Sequence, residues 1–320
     1  MGTITVPDPL PSPVQDCEAL KKAFQGWGTD ARAIIGILGH RTAPQRLVVA
    51  RTYEQLNGES LVNRLNSKLS GDFSRAVIWW ALDPVDRDAK LAQDALKKNG
   101  DRHVWVIIEI ACASSPGHLM AVRQAYWYLS RSSLEEDVAT RFPQGEPLGK
   151  MLVALVTSYR YDGEHVDEEL ARSEAAQLRF AIATKRLDHE DILRILGTRN
   201  KSQLGVTFHH YRQQSGSSID QDISSQSNNS KFASLLKVAV WCLTSPEKHF
   251  AEVVRSSVVG LGTDEDSLSR AIISRAEIDM QKIKEEYMST YKVRLEDDVI
   301  GDTSGYYREF LLTLLGNDGK

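Results

Sequence analysis

This 320-residue chain lacks any apolar run of eighteen or more residues, so no helix of it is expected to cross a bilayer. No basic stretch leads into an apolar one at the N-terminus, and no signal peptide is expected. Cysteine is scarce. Cys17, Cys112 and Cys242 are too few and too scattered for a disulfide framework, and they point to a reducing, intracellular setting. Proline is sparse beyond the first residues, where Pro7, Pro9, Pro11 and Pro13 predict an extended arm rather than a helix. The remaining prolines, among them Pro84, Pro116, Pro143, Pro147 and Pro246, stand mostly where helices should begin or end. There is no excess of basic charge: 39 Lys and Arg against 43 Asp and Glu give a formal charge of −4. With no basic stripe interleaved with aromatics, general nucleic-acid binding is excluded. A mildly acidic chain also should not adsorb to an acidic membrane by bulk electrostatics, so it needs a cation between the two surfaces.

What the chain does have is a loop that can supply that cation. Val258-Val259-Gly260-Leu261-Gly262-Thr263-Asp264 places two glycines where a turn needs unusual backbone angles. Such a turn can aim the carbonyls of Val258, Gly260 and Gly262 at one point. Calcium, a hard cation, takes six to eight oxygens at ~2.3–2.6 Å. Asp302, forty residues after Gly262, is the candidate distant carboxylate. Three carbonyls and a bidentate carboxylate make about five oxygens and leave room for water or a lipid phosphate. Thr263 reads as a helix N-cap, with Asp264, Glu265 and Asp266 in the first turn. Leu268, Ala271 and Ile272 then fall on one helical face.

The loop has a near copy at Phe24-Gln25-Gly26-Trp27-Gly28-Thr29-Asp30. An Arg follows the second glycine by thirteen residues in both, at Arg41 and Arg275. A small polar turn lies twenty-seven residues further on, Lys68-Leu69-Ser70-Gly71 in the first and Asp302-Thr303-Ser304-Gly305 in the second. Weaker echoes stand between them. Leu196-Gly197-Thr198-Arg199 matches the Arg-bearing helix end, and Ser132 to Asp137 matches Lys292 to Asp298. Four internal repeats of roughly 70–85 residues follow, and a repeat at that scale decides the architecture.

The spacing from G-x-G-T-D to Arg to G-D-T-S-G resembles that of the annexin family over almost the whole chain. The short N-terminal segment, the Gly39-His40-Arg41 string and the weak middle repeats most resemble a plant annexin. The resemblance implies an all-α fold of four repeats of about five helices each, arranged as a slightly curved disc with calcium loops on its convex face. The expected division is an arm at 1–13 and repeats at 14–82, 83–158, 164–245 and 246–317. The expected cofactor is Ca2+ and the expected partner an acidic phospholipid membrane. Cytoskeletal or self-association partners stay open. The family likeness also implies a cytoplasmic protein, peripheral on membranes when calcium rises, that is not an enzyme. By the same analogy the Thr263 carbonyl and Glu265 form a minor metal site.

The repeats do not match the family pattern equally. In the first, the carbonyls of Phe24, Gly26 and Gly28 are in place, but Lys68 stands at the carboxylate position, where an ammonium repels calcium. Asp72 is close in sequence but about one helical turn away, and Lys68 itself is a candidate contact for lipid phosphate. The second repeat has Lys97-Lys98-Asn99-Gly100-Asp101 for its loop and Arg141 near the acid position. The third has Lys185-Arg186-Leu187-Asp188 and Gln226. Neither should bind calcium in the family manner; their basic residues either meet phosphate or are solvated helix-end charges. Trp27 and Leu261, between the glycines of the two intact loops, are candidate membrane contacts, an amphipathic ring suiting the headgroup region.

Other residues carry weaker signals. Cys112 and Cys242 match positions of a redox cluster proposed for plant annexins, but two buried cysteines on apolar helices is the reading favoured here. His40 matches a position invoked for peroxidase activity, yet nothing outlines a haem pocket. Asp298-Val299-Ile300-Gly301 fits a loose D-x-x-G, without the glycine-rich phosphate loop that would give it meaning. Arg41, Arg199 and Arg275 recur at one repeat position, with Ser114 in the second. The resemblance places Asp88 and Arg275 along a polar channel between the two halves. The rival readings are a peroxidase-like or nucleotide phosphatase activity resting on His40 or Asp298, and a calcium-independent scaffold resting on the middle repeats. Ser158 to Glu164 is the expected break between the second and third repeats, and the polar run 224–230 is expected to be a loop.

Overall fold

In the computed structural model the described residues are 1–25, 28–226, 230–260 and 262–317. Among them the chain is all helical, with twenty helices in four sets of five. Repeat I holds α1 (Pro13–Ala23), α2 (Ala31–Leu38), α3 (Ala43–Asn57), α4 (Leu61–Lys68) and α5 (Gly71–Ala81). Repeat II holds α6 (Pro84–Lys97), α7 (Asp101–Cys112), α8 (Pro116–Ser130), α9 (Leu134–Arg141) and α10 (Pro147–Val156). Repeat III holds α11 (Glu168–Ala183), α12 (Glu190–Thr198), α13 (Lys201–Ser215), α14 (Ile219–Gln226) and α15 (Lys231–Thr244). Repeat IV holds α16 (Pro246–Val258), α17 (Glu265–Arg275), α18 (Met280–Tyr291), α19 (Leu295–Asp302) and α20 (Gly305–Leu314).

The caps explain why the helices start and stop where they do. Ser12 accepts from the Gln15 amide and Gln15 returns the bond, a capping box that starts α1 at Pro13. The third helix of every repeat ends on a left-handed residue: Gly58, Arg131, Gly216 and Lys292. Two of these four carry a side chain in a region that costs an L-residue ~1–2 kcal/mol, and only the repeat's packing holds them there. Of the polar run 224–230, the first three residues belong to the end of α14. Ser224 and Ser225 are still inside α14, their hydroxyls donating to the Asp220 and Asp222 carbonyls, so the polar side chains bond back onto their own helix. Ser227, Asn228 and Asn229 lie outside the described residues.

The helices form two compact units. One comprises Met1–Arg87 and Phe250–Lys320, thus repeats I and IV; the other is Asp88–His249, repeats II and III. The stretch 158–164 lies inside the second unit. Ser158 Oγ donates to the Gly197 carbonyl, and the buried Arg160 guanidinium donates to the Leu196 and Arg199 carbonyls. In the first unit α5 packs on α17 and α20, which joins the two terminal repeats. The arm seals that junction. Thr3 donates its amide to the Ala276 carbonyl and its hydroxyl to that of Leu314, and Met1 accepts from the Gln281 amide.

Each repeat is closed by the same lock. A fully buried tyrosine on its third helix reaches the residue eleven positions later, on its fourth helix. Tyr126 donates to Asp137 at 2.6 Å, Tyr211 to Asp222 at 2.7 Å, and Tyr287 to Asp298. In repeat I the pair is Tyr53 with Arg64, a basic residue in place of the acid. Burial and the neighbouring carboxylate push all three acid-paired phenols upward, so they stay donors at any ordinary pH.

Candidate functional site

The two glycine loops have one architecture. Gly28 sits at φ 106° and Gly262 at φ 84°, angles a side chain would strain. Each loop is closed by the amide two residues on. Asp30 donates to the Ala23 carbonyl and Asp264 to the Ser257 carbonyl, both at 2.9 Å. The N-caps are Asp30 and Asp264, accepting from the amides of Ala33 and Ser267. Thr263 is therefore not the cap expected of it, because the Asp264 side chain one position later takes the first-turn amide. Thr263 is released for another task. Its hydroxyl lies 2.6 Å from Asp302 Oδ2 and 3.0 Å from the Asp302 carbonyl, tying the loop to the end of α19. Thr29 does the same in repeat I, donating to the Lys68 carbonyl at 3.2 Å.

The fourth helix has eight residues in every repeat and ends on Lys68, Arg141, Gln226 and Asp302, of which Lys68, Arg141 and Asp302 bond to their loops. Only repeat IV presents a carboxylate there. Both loop systems of the first unit open on one groove of about 450 Å³, lined among others by Thr29, Lys68 and Asp72 from repeat I and by Thr263, Glu265 and Asp302 from repeat IV. Asp72 does reach this groove, but Arg75 holds it at 3.5 Å while also pairing with Asp266. Asp72 thus stands on the groove with an arginine beside it. Glu265 opens α17, and its carbonyl accepts from the Tyr307 hydroxyl at 3.1 Å.

The donors available here are oxygens: the Asp302 and Glu265 carboxylates, the Thr263 hydroxyl and the loop carbonyls. Among the described residues no three His, Cys, Asp or Glu side chains cluster as a metal site. A hard cation that accepts carbonyl oxygens fits this set, and a thiolate- or imidazole-seeking metal does not. Val258 ends α16, and Gly260, at φ 140°, and Gly262 follow it in the loop. Gly26, Trp27 and Leu261 lie outside the described residues, and Phe24 is the buried C-cap of α1.

Comparison with known proteins settles the family. A family model described as Annexin matches residues 15–80, 87–146, 173–237 and 249–314. The chain belongs to the annexin family. It is 48% identical to Annexin D3 of Arabidopsis thaliana over 99% of both chains. It is 50% identical to the annexin-like protein RJ4 of Fragaria ananassa over 95% of this chain and 96% of that one. Among solved structures, annexin III superposes with a TM-score of 0.89 at 31% identity, covering 98% of this chain and 97% of the other. Calcium-bound annexin (Sm)1 superposes with a TM-score of 0.86 at 29% identity, covering 99% and 93%. Membership supports calcium-dependent phospholipid binding in general and calcium as the metal. No helix among the described residues is long and apolar enough to cross a membrane.

The remaining annexin signals resolve into structure. His40 Nδ1 lies 2.8 Å from the Thr5 carbonyl, so the ring fastens the N-terminal arm. Asp298 accepts from Tyr287 and Arg255 and serves the repeat lock. Cys112 and Cys242 are buried free thiols, and burial pushes the Cys112 thiol up to about 11. The recurring arginines find carboxylates within their own units. Arg41 is bidentate to Asp16 at 2.7 Å, Arg275 to Asp279 at 2.6 and 2.8 Å, and Arg199 to Glu174 at 2.7–3.0 Å. Asp88 meets His118 Nε2 at 2.8 Å. The Tyr locks and these partner acids escaped the sequence reading. The recurrence of Tyr with an acid eleven residues on was the signal that could have found the locks.

Proposed function

We propose that this annexin binds acidic phospholipid peripherally and that repeat IV is its working calcium site. Asp302, with the carbonyls of Val258, Gly260 and Gly262, holds the ion; the Thr263 carbonyl and Glu265 form a minor site beside it. Bound calcium supplies the positive charge that a chain of net charge −4 needs at an acidic surface. The observation that carries the reading is that, of the four equivalent helix ends, only the one in repeat IV has a carboxylate, held by a threonine hydroxyl beside a glycine loop. Thr263 orients that carboxylate before the ion arrives, which reduces what binding must order. In repeat I the Phe24, Gly26 and Gly28 loop is paired with Lys68, whose ammonium serves as a phosphate contact in the same groove. Trp27 and Leu261, each between two loop glycines in the sequence, are the candidate membrane contacts.

Because lipid oxygens complete the ion's shell, calcium affinity rises with acidic lipid and lipid affinity rises with calcium by the same factor. The test is sedimentation with phosphatidylserine vesicles across a calcium titration, for wild type and Asp302→Ala. Calcium-dependent binding in wild type that disappears in the variant supports the assignment. Calcium-dependent binding that survives in the variant assigns the working site to repeat I.

A further inference from the structure

The acid of each Tyr lock takes a second partner, and that partner differs between repeats. In repeat II Asp137 also accepts from the Ser132 hydroxyl at 2.7 Å, and in repeat III Asp222 accepts from Ser217 at 2.5 Å. Both serines stand on the turn just before the fourth helix, so these bonds stay local. In repeat IV Asp298 accepts from Arg255 instead, at 2.5 Å. Arg255 lies on α16, so this bond crosses from the first helix of the repeat to the fourth. The guanidinium also lies 5.2 Å from the centre of the Tyr291 ring, and Tyr291 rests edge-on against Tyr287, the donor of the lock. A cation held by an aromatic face and a charge-assisted bond keeps little freedom. The other repeats fill these positions differently. Lys21, Asp94 and Arg179 precede Lys68, Arg141 and Gln226 by the same forty-seven residues that separate Arg255 from Asp302. Lys21 is exposed, Asp94 pairs with Lys90 on its own helix at 3.0 Å, and Arg179 donates to the Gln214 carbonyl at 3.4 Å. Repeat I has Arg64 in place of Asp298, paired with Glu59 at 2.7 Å. Among the described residues, then, the crossing bond belongs to the one repeat whose fourth helix ends on a carboxylate.

We propose that Arg255 is a positioning residue for the calcium site of repeat IV. The inference rests on the assignment of that site to Asp302 and the carbonyls of Val258, Gly260 and Gly262. Arg255 stands three residues before Val258, and Asp298 stands four residues, about one helical turn, before Asp302. The two elements that bring the ligands are therefore tied at two levels, Thr263 to Asp302 in the loop and Arg255 to Asp298 one turn below. Loop carbonyls that follow α16 and a carboxylate that ends α19 close on one ion when the two helices keep their spacing and rotation. A single tie at Thr263 leaves α19 free to pivot about it. A second tie one turn away removes the pivot, so less ordering is left for the ion to bring about. Groups that orient metal ligands without touching the metal carry a measurable share of its affinity. Arg255 can do this without opposing the ion, because its charge is set against Asp298.

The experiment reads two quantities, the calcium concentration for half-maximal sedimentation with phosphatidylserine vesicles and the unfolding midpoint in EGTA. It compares wild type, Arg255→Met, Arg255→Lys, Ile283→Val and Asp302→Ala. Arg255→Met is expected to need about fivefold more calcium and still to reach wild-type binding at saturation, because every ligand remains. Arg255→Lys keeps the charge opposite Asp298 and should recover most of the affinity. Ile283→Val trims the buried core of α18 and controls for stability alone: the unfolding midpoint falls and the half-maximal calcium stays where it was. If Arg255→Met fails to fold, Asp298→Asn takes its place with the same expected rise, since it keeps an acceptor for Tyr287 and ends the ion pair. Unchanged half-maximal calcium in Arg255→Met, or an equal rise in Ile283→Val, overturns the positioning role. If Asp302→Ala has lost its binding in that same series, the calcium assignment stands and the role of Arg255 alone falls. Calcium-dependent binding that survives in Asp302→Ala overturns the assignment, and the role of Arg255 with it.

Discussion

Repeats I and IV share one groove and one loop geometry, and they differ in the charge they present to it. Glycine angles, the closing amide, the Asp N-cap and the threonine tie recur residue for residue. At the end of the fourth helix, however, one repeat has Lys68 and the other Asp302. The scaffold is thus indifferent to the sign of that residue, because its integrity rests on the backbone carbonyl that the threonine reaches, and the side chain is left to set the ligand. The same separation appears in the buried arginines. Arg41 and Arg275 occupy equivalent repeat positions in the sequence, yet one pairs with Asp16 from α1 and the other with Asp279 four residues on. Repeat geometry preserves the charge balance, not the identity of the partner.

The comparison can be broken hardest at the buried pairs. Asp16→Ala leaves the Arg41 guanidinium buried and unpaired, and the expected cost is about 3–5 kcal/mol, read as a lower midpoint in chemical denaturation. The next effect is a gain. Lys68→Glu restores a carboxylate opposite an intact loop, so calorimetry with phosphatidylserine vesicles should show an additional calcium per chain. Unchanged stoichiometry would mean that the repeat I loop lacks more than its acid. Removing the tie in repeat IV should matter less. Thr263→Val takes a donor from the Asp302 carboxylate, and the calcium concentration for half-maximal vesicle binding should rise about tenfold, the worth of a hydrogen bond to a charged group (~1.5–3 kcal/mol). The smallest effect concerns stability alone. Lys292→Gly relieves a left-handed residue at the end of α18 and should raise stability by ~1 kcal/mol, as Gly58 already does for repeat I.

Much of this was legible in the residues, because the informative signals are local and spaced. Two glycines, an Arg thirteen residues on and a polar turn twenty-seven further mark a repeat without any tertiary knowledge, and Lys68 against Asp302 can be read at a fixed offset. Two kinds of fact were not legible. The cap was misplaced by one residue because Thr and Asp both satisfy the preference, and only the backbone decides between Thr263 and Asp264. The grouping of the repeats into two units was hidden, because the polar stretch 158–164 joins repeats II and III between α10 and α11, as expected, without parting their unit. It is fastened within a unit by Arg160, and no composition rule tells a free linker from one whose guanidinium is buried on carbonyls. The partner of His40 was hidden for a related reason: it is a backbone carbonyl of the arm, which leaves no trace in side-chain identities.

The most direct test of the central claim, that one carboxylate makes repeat IV the calcium site, is the calcium dependence of phosphatidylserine vesicle binding in Asp302→Ala. The account predicts that calcium-dependent sedimentation is lost while the variant's unfolding midpoint stays close to that of wild type. Calcium-dependent binding of wild-type strength in Asp302→Ala would contradict it.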